Sequence, residues 1–285
     1  MGRLTSRPVT HAFTVDLEDW FDGIPIPTES KGSAERRLHV GTEHLLERLA
    51  AHRVRATFFV LSPIATRHPA LVREIVAAGH DVGSHGVSHD LVYEMGPQRF
   101  RDETRRSVRE LEDFTGTPIR SYRAAYFSIT ARSLWALEIL TAEGIRFDSS
   151  IFPVRNWRYG MPNYSRSPRV EQTAHGPLLE FPISTRRVLG RNIPTTGGAY
   201  FRLYPYAVTR ANMRAEAAKG GRTVFYVHPW ELDPDHPVVS FDRRARLTHY
   251  ARLRSTRWKL DRLLKDFRFT TLSEALTDAF PGLGP

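Results

Sequence analysis

Residues 56–89 read ATFFVLSPIATRHPALVREIVAAGHDVGSHGVSH, and the order of patterns in that stretch decides the fold class. Ala56 to Leu61 is a continuous run of apolar, aromatic and β-branched residues, which is the composition of a buried strand. Pro69 to Ala78 follows as a helix stopped by Gly79, and His80 to Gly83 makes another short strand. The stretch closes on His85-Gly-Val-Ser-His89. Two imidazoles four residues apart can meet one cation, on a helical turn or a tight loop. A carboxylate from the upstream Asp16-Leu17-Glu18-Asp19 would complete a three-ligand set. Three protein ligands with an open position describe a hydrolytic metal site rather than a structural one.

Outward from this unit the alternation continues in both directions. His11 to Val15 reads as a strand, and Glu43 to Ala51 as a helix, with Leu45, Leu46 and Leu49 on one face. Pro97 to Thr115 reads as a helix carrying Phe100, Val108, Leu111 and Phe114. Ile119 to Arg123 is a strand, Thr130 to Glu143 a helix and Ile145 to Asp148 a strand. Residues 153–205 are irregular and rich in Pro, Gly and Asn, with one strand at Leu178 to Ile183; they read as long loops over one end of the domain. Thr223 to Val227 is a late buried strand, Leu247 to Leu264 a helix, and Phe269 to Leu276 a short strand with a last turn of helix. The βαβα order predicts an α/β fold, parallel strands with outer helices, in one domain over residues 1–285.

Composition narrows the chemistry. The chain has no cysteine, so disulfides, thiolate ligands and a Cys nucleophile are excluded. The net charge of +10 is carried by arginine, lysine being confined to Lys31, Lys219, Lys259 and Lys265. These arginines lie along candidate helices without interleaved aromatics, so they suit a solvated face better than a nucleic-acid groove. The N-terminal stretch MGRLTSRPVTHAFTVDLEDW has no apolar segment of signal-peptide length, and no later run approaches a membrane span. The expectation is a cytoplasmic protein with neither nucleic-acid nor membrane partners, its oligomeric state left open.

Several polar residues stand just after apolar strands: Asp16 and Asp19, His85, Arg123, Asp148 and His228. The carboxyl ends of parallel barrel strands converge on one face, so these residues would meet. The ordered set TVDLEDW, HGVSH, RAAYFS, DSSIFP and FYVHPWE resembles the motif series of NodB-homology polysaccharide deacetylases (carbohydrate esterase family 4). It is most similar to the subgroup with an Asp-x-Glu-Asp-Trp first motif and a GGAYFRLYP-like loop. The resemblance implies a distorted (β/α) barrel and a divalent metal ion, with zinc favoured over cobalt, nickel or manganese. It implies His85 and His89 as metal ligands, Asp16 as catalytic base and Arg123 as the residue holding that base. Asp19 matches the metal carboxylate, with Glu18 the close alternative because residues i and i+2 share a side of an extended segment. Tyr126 matches the residue whose N–H stabilises the oxyanion, His228 the general acid, and Asp148 the carboxylate orienting it. The chain departs from the family at Ala124 and Ala125, where prolines are usual, which loosens the loop setting the Tyr126 N–H.

The chemistry requires such a set. A zinc-type ion lowers the pKa of its water to about 7. A carboxylate that takes the water's proton contributes roughly 10²–10⁴-fold. A lost oxyanion donor costs roughly 3–4 kcal/mol. The leaving amine needs a proton, which a histidine near its usual pKa of about 6.5 supplies. The reading is removal of N-acetyl from an amino sugar or polysaccharide. The alternatives are a hydrolase of a small-molecule amide or cyclic imide on the same fold, and a sugar-binding homologue without catalysis. Tyr200 and Trp230 are candidates to line a groove for a carbohydrate or acetylated small-molecule substrate.

Overall fold

The structure, a computed structural model, describes residues 9–24, 34–156, 158–239 and 243–283. The first part of the N-terminal stretch read for a leader therefore lies outside the described residues. In chain order the elements begin with β1 (Thr10–Leu17), α1 (Leu38–Ala51), β2 (Thr57–Val60), α2 (Ser62–Arg67), α3 (Pro69–Ala77) and β3 (Asp81–Ser84). There follow α4 (Val92–Met95), α5 (Pro97–Thr115), β4 (Ser121–Tyr122), α6 (Trp135–Ala142), β5 (Phe147–Asp148), β6 (Arg169–Thr173), β7 (Gly176–Glu180), β8 (Thr185–Val188) and β9 (Arg191–Pro194). The last are α7 (Gly198–Leu203), α8 (Tyr206–Ala217), β10 (Val224–Val227), α9 (Arg243–Tyr250), α10 (Leu253–Asp266), β11 (Arg268–Thr270) and α11 (Leu272–Ala279).

Nine strands form one curled sheet in the order β10-β1-β2-β3-β4-β5-β7-β6, with β11 paired to the start of β1. Every pairing is parallel except β6 with β7. This is the expected distorted (β/α) barrel, curled into a half-barrel. On the free side of β10 side chains from the segments after β7 and β9 bridge instead of a ladder: Val224 N donates to Ser184 Oγ (2.9 Å) and Thr196 Oγ1 donates to Val224 O (2.7 Å).

Pleat alternation sorts the side chains into two layers. Phe13, Val15 and Leu17 of β1, Phe58 and Val60 of β2, and Phe225 and Val227 of β10 pack outward, in one core with Leu45, Ile75, Leu111 and Leu263 of the helices. Ala12, Phe59, Phe147, Leu179, Val224 and Tyr226 point inward and pack on Leu272 and Leu276 of α11. Burying an apolar side chain of this size contributes roughly 1.5–3 kcal/mol, so both layers stabilise the curl.

The irregular region holds more structure than its Pro, Gly and Asn content suggested: β6 and β7, the β8–β9 hairpin and α7 all fall within it. The hairpin turns at Leu189 and Gly190, both at positive φ (47° and 76°), which its sequence signals only through the glycine. The helix read at 247–264 is two, broken where Arg252 takes φ 59°.

At the opposite end from the strand carboxyl termini, two histidines act as backbone acceptors. His11 Nδ1 accepts from Thr223 N (3.1 Å), and His80 Nδ1 accepts from Ala56 N (3.2 Å). Burial lowers both imidazoles to about 4. Their unfolded-state value is near 6.5, so between pH 6.5 and 4 the unfolded chain binds protons that the folded chain does not. Stability is then full above pH 6.5 and falls on acidification, by about 3 kcal/mol for each imidazole at pH 4. Denaturant midpoints from pH 7 to pH 4 should show this fall, and His11→Gln should flatten it; a pH-independent midpoint would refute the assignment.

Candidate active site

The same pleat alternation builds the site. Because Ala12 points inward, so do Thr14, Asp16 and Glu18, while Leu17 and Asp19 turn the other way. Outward Ser84, whose Oγ meets Ser107 Oγ of α5 at 2.7 Å, is followed by inward His85. Outward Tyr122 is followed by Arg123, and outward Val227 by His228. Four strands thus deliver polar groups to one end of the concave face.

Glu18, His85 and His89 each offer a ligand atom, all within 4.8 Å of one another. The His85 Nδ1–H donates to the Arg123 carbonyl at 2.7 Å, which leaves Nε2 with its lone pair toward the cluster. Burial lowers the His85 pKa, so the ring is neutral. Burial pushes the Glu18 carboxyl up, but His89 and His228 outweigh it and hold it well below the usual range. Two neutral-capable imidazoles and an ionised carboxylate are a donor set that fits a divalent ion.

Asp19, the sequence choice for the metal carboxylate, is not in this cluster. Its carboxylate accepts Trp20 N (2.9 Å) and Arg37 N (3.2 Å), tying the chain after β1 to the start of α1. The pleat is the reason: Glu18 shares the side of Asp16, and Asp19 faces away.

Asp16 meets Arg123 at 2.7 Å, both buried. Arg123 Nη1 also donates to Thr14 Oγ1 (2.8 Å), while Nε and Nη2 donate to Ser149 O (3.1 Å) and Ser149 Oγ (3.0 Å). Its guanidinium lies over the Phe59 ring at 4.3 Å. Tyr126 packs its ring on His89, centroids 4.6 Å apart, and sits with Phe127 at positive φ (54° and 52°). Consecutive non-glycine residues in that region are strained, and such strain clusters at functional sites. The loop without the family's prolines is pinned instead by Ser150 Oγ, which accepts Ala124 N (2.8 Å).

His228 Nε2 stands 3.1 Å from Glu18 Oε1 and 3.8 Å from Asp16 Oδ2. Its Nδ1 meets Glu231 Oε2 at 3.1 Å, so Glu231 orients the ring and Asp148 does not. Asp148 fails for a geometric reason. Phe147 points inward, so Asp148 points outward beside Tyr122 and Glu180, its strand partners. Burial raises both Asp148 and Glu180, the latter well above the carboxylate range, because two carboxylates side by side in the interior oppose each other's charge. At His228, burial opposes the charged ring, but Glu18 and Glu231 outweigh it and raise the group to about 10. Burial likewise opposes ionisation of Glu231, but Arg202 and His228 hold it near 2.

Arg202 and Glu231 escaped the sequence reading, although GGAYFRLYP and FYVHPWE contain them. Arg202 Nε donates to Glu231 Oε1 (2.6 Å), its Nη1 to the carbonyls of His249 (3.0 Å) and Ala251 (2.9 Å), and its Nη2 to that of Thr248 (2.5 Å). The available signal was the i, i+3 spacing of His228 and Glu231 across Pro229, a capping-box arrangement in which Glu231 also accepts His228 N (3.0 Å). Gly197 is required by close approach: at φ 80°, a Cβ there would lie 2.2 Å from the Tyr226 ring. Trp230 is stacked between His228 and His249 and is buried, so it supports the site more than it lines a groove.

Known proteins resemble parts of this chain in sequence and the whole of it in fold. Residues 22–145 match the family model described as polysaccharide deacetylase. Residues 149–277 match a domain of unknown function, DUF3473. A peptidoglycan-N-acetylglucosamine deacetylase of Bacillus cereus is 31% identical over 98 residues, 34% of this chain and 36% of that protein. A chitooligosaccharide deacetylase of Sinorhizobium fredii is 34% identical over 105 residues, 36% of this chain and 45% of that one. The chain thus spans less than half the length of either relative. Among solved structures, a polysaccharide deacetylase-type protein of Mycobacterium smegmatis superimposes with TM-score 0.66 at 21% identity, over 98% of this chain and 92% of that one. PuuE allantoinase superimposes with TM-score 0.63 at 15% identity, over 96% and 91%. Both show the fold. Among the described residues no helix is long and apolar enough to cross a membrane.

The buried pairs make a stability prediction. Glu231→Ala strands the Arg202 guanidinium in the interior and should cost roughly 3–5 kcal/mol. Asp148→Asn removes one acid from a pair in which burial already favours the protonated form, and should change stability by less than about 1.5 kcal/mol. Urea denaturation of both variants checks the contrast; equal losses would contradict it.

Proposed function

We propose that this protein is a metal-dependent hydrolase that removes N-acetyl groups from amino sugars of a carbohydrate, with Glu18, His85 and His89 holding the ion. The observation that carries the reading is the meeting of that donor set with Asp16–Arg123 and His228–Glu231 on one concave face. The deacetylases similar to this chain support the substrate class. A divalent ion bound there supplies Lewis acidity toward water and the amide carbonyl. The donor set accepts zinc, and equally cobalt, nickel or manganese.

The chain's own residues divide the remaining work. Asp16, fixed by Arg123, takes a proton from the attacking water. The N–H of Tyr126, beside His89, is the donor assigned to the carbonyl oxygen as charge develops. His228, charged and held by Glu231, gives its proton to the departing amine. Burial of the cluster strengthens each of these interactions.

Purified protein should carry about one divalent ion per chain, and chelation should abolish acetate release from N-acetylglucosamine oligosaccharides. Glu18→Ala should lose the ion, whereas Asp19→Asn should keep it. Asp16→Asn should keep the ion and lower kcat by roughly 10²–10⁴-fold. Metal analysis with an acetate assay reads all four. Ion loss in the Asp19 variant but not the Glu18 variant would move the ligand assignment, and full activity in chelated protein would defeat the mechanism.

A further inference from the structure

Part of the net charge of +10 is gathered at one place on the rim that carries the site. The loop following β5 and the β8–β9 hairpin following β7 enclose a cavity of about 850 Å³. β5 and β7 are paired parallel strands, so both segments leave the same rim that carries the site. Asn192 joins the two walls, donating from Nδ2 to the carbonyls of Pro153 (2.8 Å) and Pro162 (3.1 Å).

Arg155, Arg166, Arg187 and Arg191 line this cavity, and among the described residues no Asp or Glu does. None of the four has an ion pair among the described residues, although arginines elsewhere are paired, as Arg105 is with Glu143 and Arg106 with Glu110. Arginine-rich composition alone would scatter its charge among acids, as on α5. Four like charges facing one hollow repel each other, and a concave wall focuses their field on whatever enters. Guanidinium forks match carboxylates in two-point geometry.

Tyr164 and Tyr200 add aromatic faces, and from Tyr200 a run of packed rings, buried from Phe152 onward, leads toward His228. The Tyr200 ring packs on Phe152 (6.4 Å), Phe152 on Phe127 (5.5 Å), Phe127 on Tyr226 (5.0 Å) and Tyr226 on His228 (5.8 Å). We infer that the cavity is a subsite for the acidic sugars of an anionic polysaccharide, holding uronate carboxylates while a neighbouring N-acetylated sugar lies at His228. Aromatic faces and asparagine amides in a hollow suit sugar rings and hydroxyls, which a flat membrane surface or a stiff duplex would not reach. The placement of the neighbouring sugar rests on the deacetylase reading; the binding itself does not.

The test compares hyaluronan hexasaccharide, which alternates N-acetylglucosamine with glucuronate, against chitin hexasaccharide by calorimetry. Hyaluronan should bind at least about 10-fold tighter at about 50 mM salt, and the advantage should shrink toward about 0.5 M. Arg187→Ala/Arg191→Ala alters exposed hairpin positions that the fold does not need. It should weaken hyaluronan about 10-fold or more and chitin less than about 2-fold, with any effect on turnover appearing in KM and not kcat. Equal affinity for the two glycans overturns the proposal, as does equal weakening of both. Tighter binding of duplex DNA or of phosphatidylglycerol vesicles overturns it as well. Selective hyaluronan binding that the variant loses, without acetate release from either glycan, refutes the deacetylase reading and leaves the subsite standing.

Discussion

The buried guanidinium of Arg123 is the constraint on which the site depends. It has no solvent exposure and reaches β1 through Thr14 and Asp16, the loop after β5 through Ser149, and β2 through the face of Phe59. A charge in that position is tolerated only when its donors are met and an opposite charge is beside it, because an unpaired buried ion costs several kcal/mol. Asp16 cannot swing away without leaving Arg123 unpaired. The carboxylate is therefore held in one place, the preorganisation that the proposed catalysis would draw on. The Arg123 carbonyl also fixes the tautomer of His85, so one residue sets both the base and a candidate ligand.

Behind that residue stands the outward pair Asp148 and Glu180. Asp148 accepts from Ser150 Oγ, which in turn accepts Ala124 N, while Glu180 Oε1 accepts Ile151 N (3.2 Å). Burial and mutual repulsion favour the protonated form in this pair, and the pair braces the loop whose Ser149 grips Arg123. Asp148 thus supports the base from behind the sheet, two contacts removed from it, and leaves orientation of His228 to Glu231.

How much of this was legible in the sequence follows from where periodicity is strong. ATFFVL and TVFYV read as strands because their apolar content is continuous, and the parallel order followed from the helices between them. Residues 153–205 misled because Pro and Gly there serve a hairpin and tight approaches, which look locally like loop. The site was legible as a convergence of strand ends but not in its finer choice of carboxylates. The i, i+2 rule favours Glu18 once it is counted from Asp16, and counting from Phe147 puts Asp148 on the wrong face. Parity had to be anchored on an inward residue, and single strands do not announce which face is inward. Arg202 and Glu231 were hidden for another reason: their pairing spans 29 positions and has no local pattern.

The two stretches that match separate families are not separable parts of this molecule. β10, from the later stretch, lies beside β1, which precedes the earlier one and pairs on its other side with β2 of that stretch, and Thr14 Oγ1 donates to Phe225 O (2.8 Å). Arg123 comes from the earlier stretch and is held by Ser149 of the later one; Glu18 faces His89 of the earlier and His228 of the later at 3.0 and 3.1 Å. The donor set and the proposed base's partner thus come from the first part of the chain, whereas the proposed acid and its buried Glu231–Arg202 support come from the second. A hydrolase needs both functions within a few ångströms, and parallel pairing of the first strand with a strand more than 200 residues later achieves that. The later stretch also brings the arginine-lined hollow, so the part of the chain that supplies the proposed acid also supplies the proposed subsite.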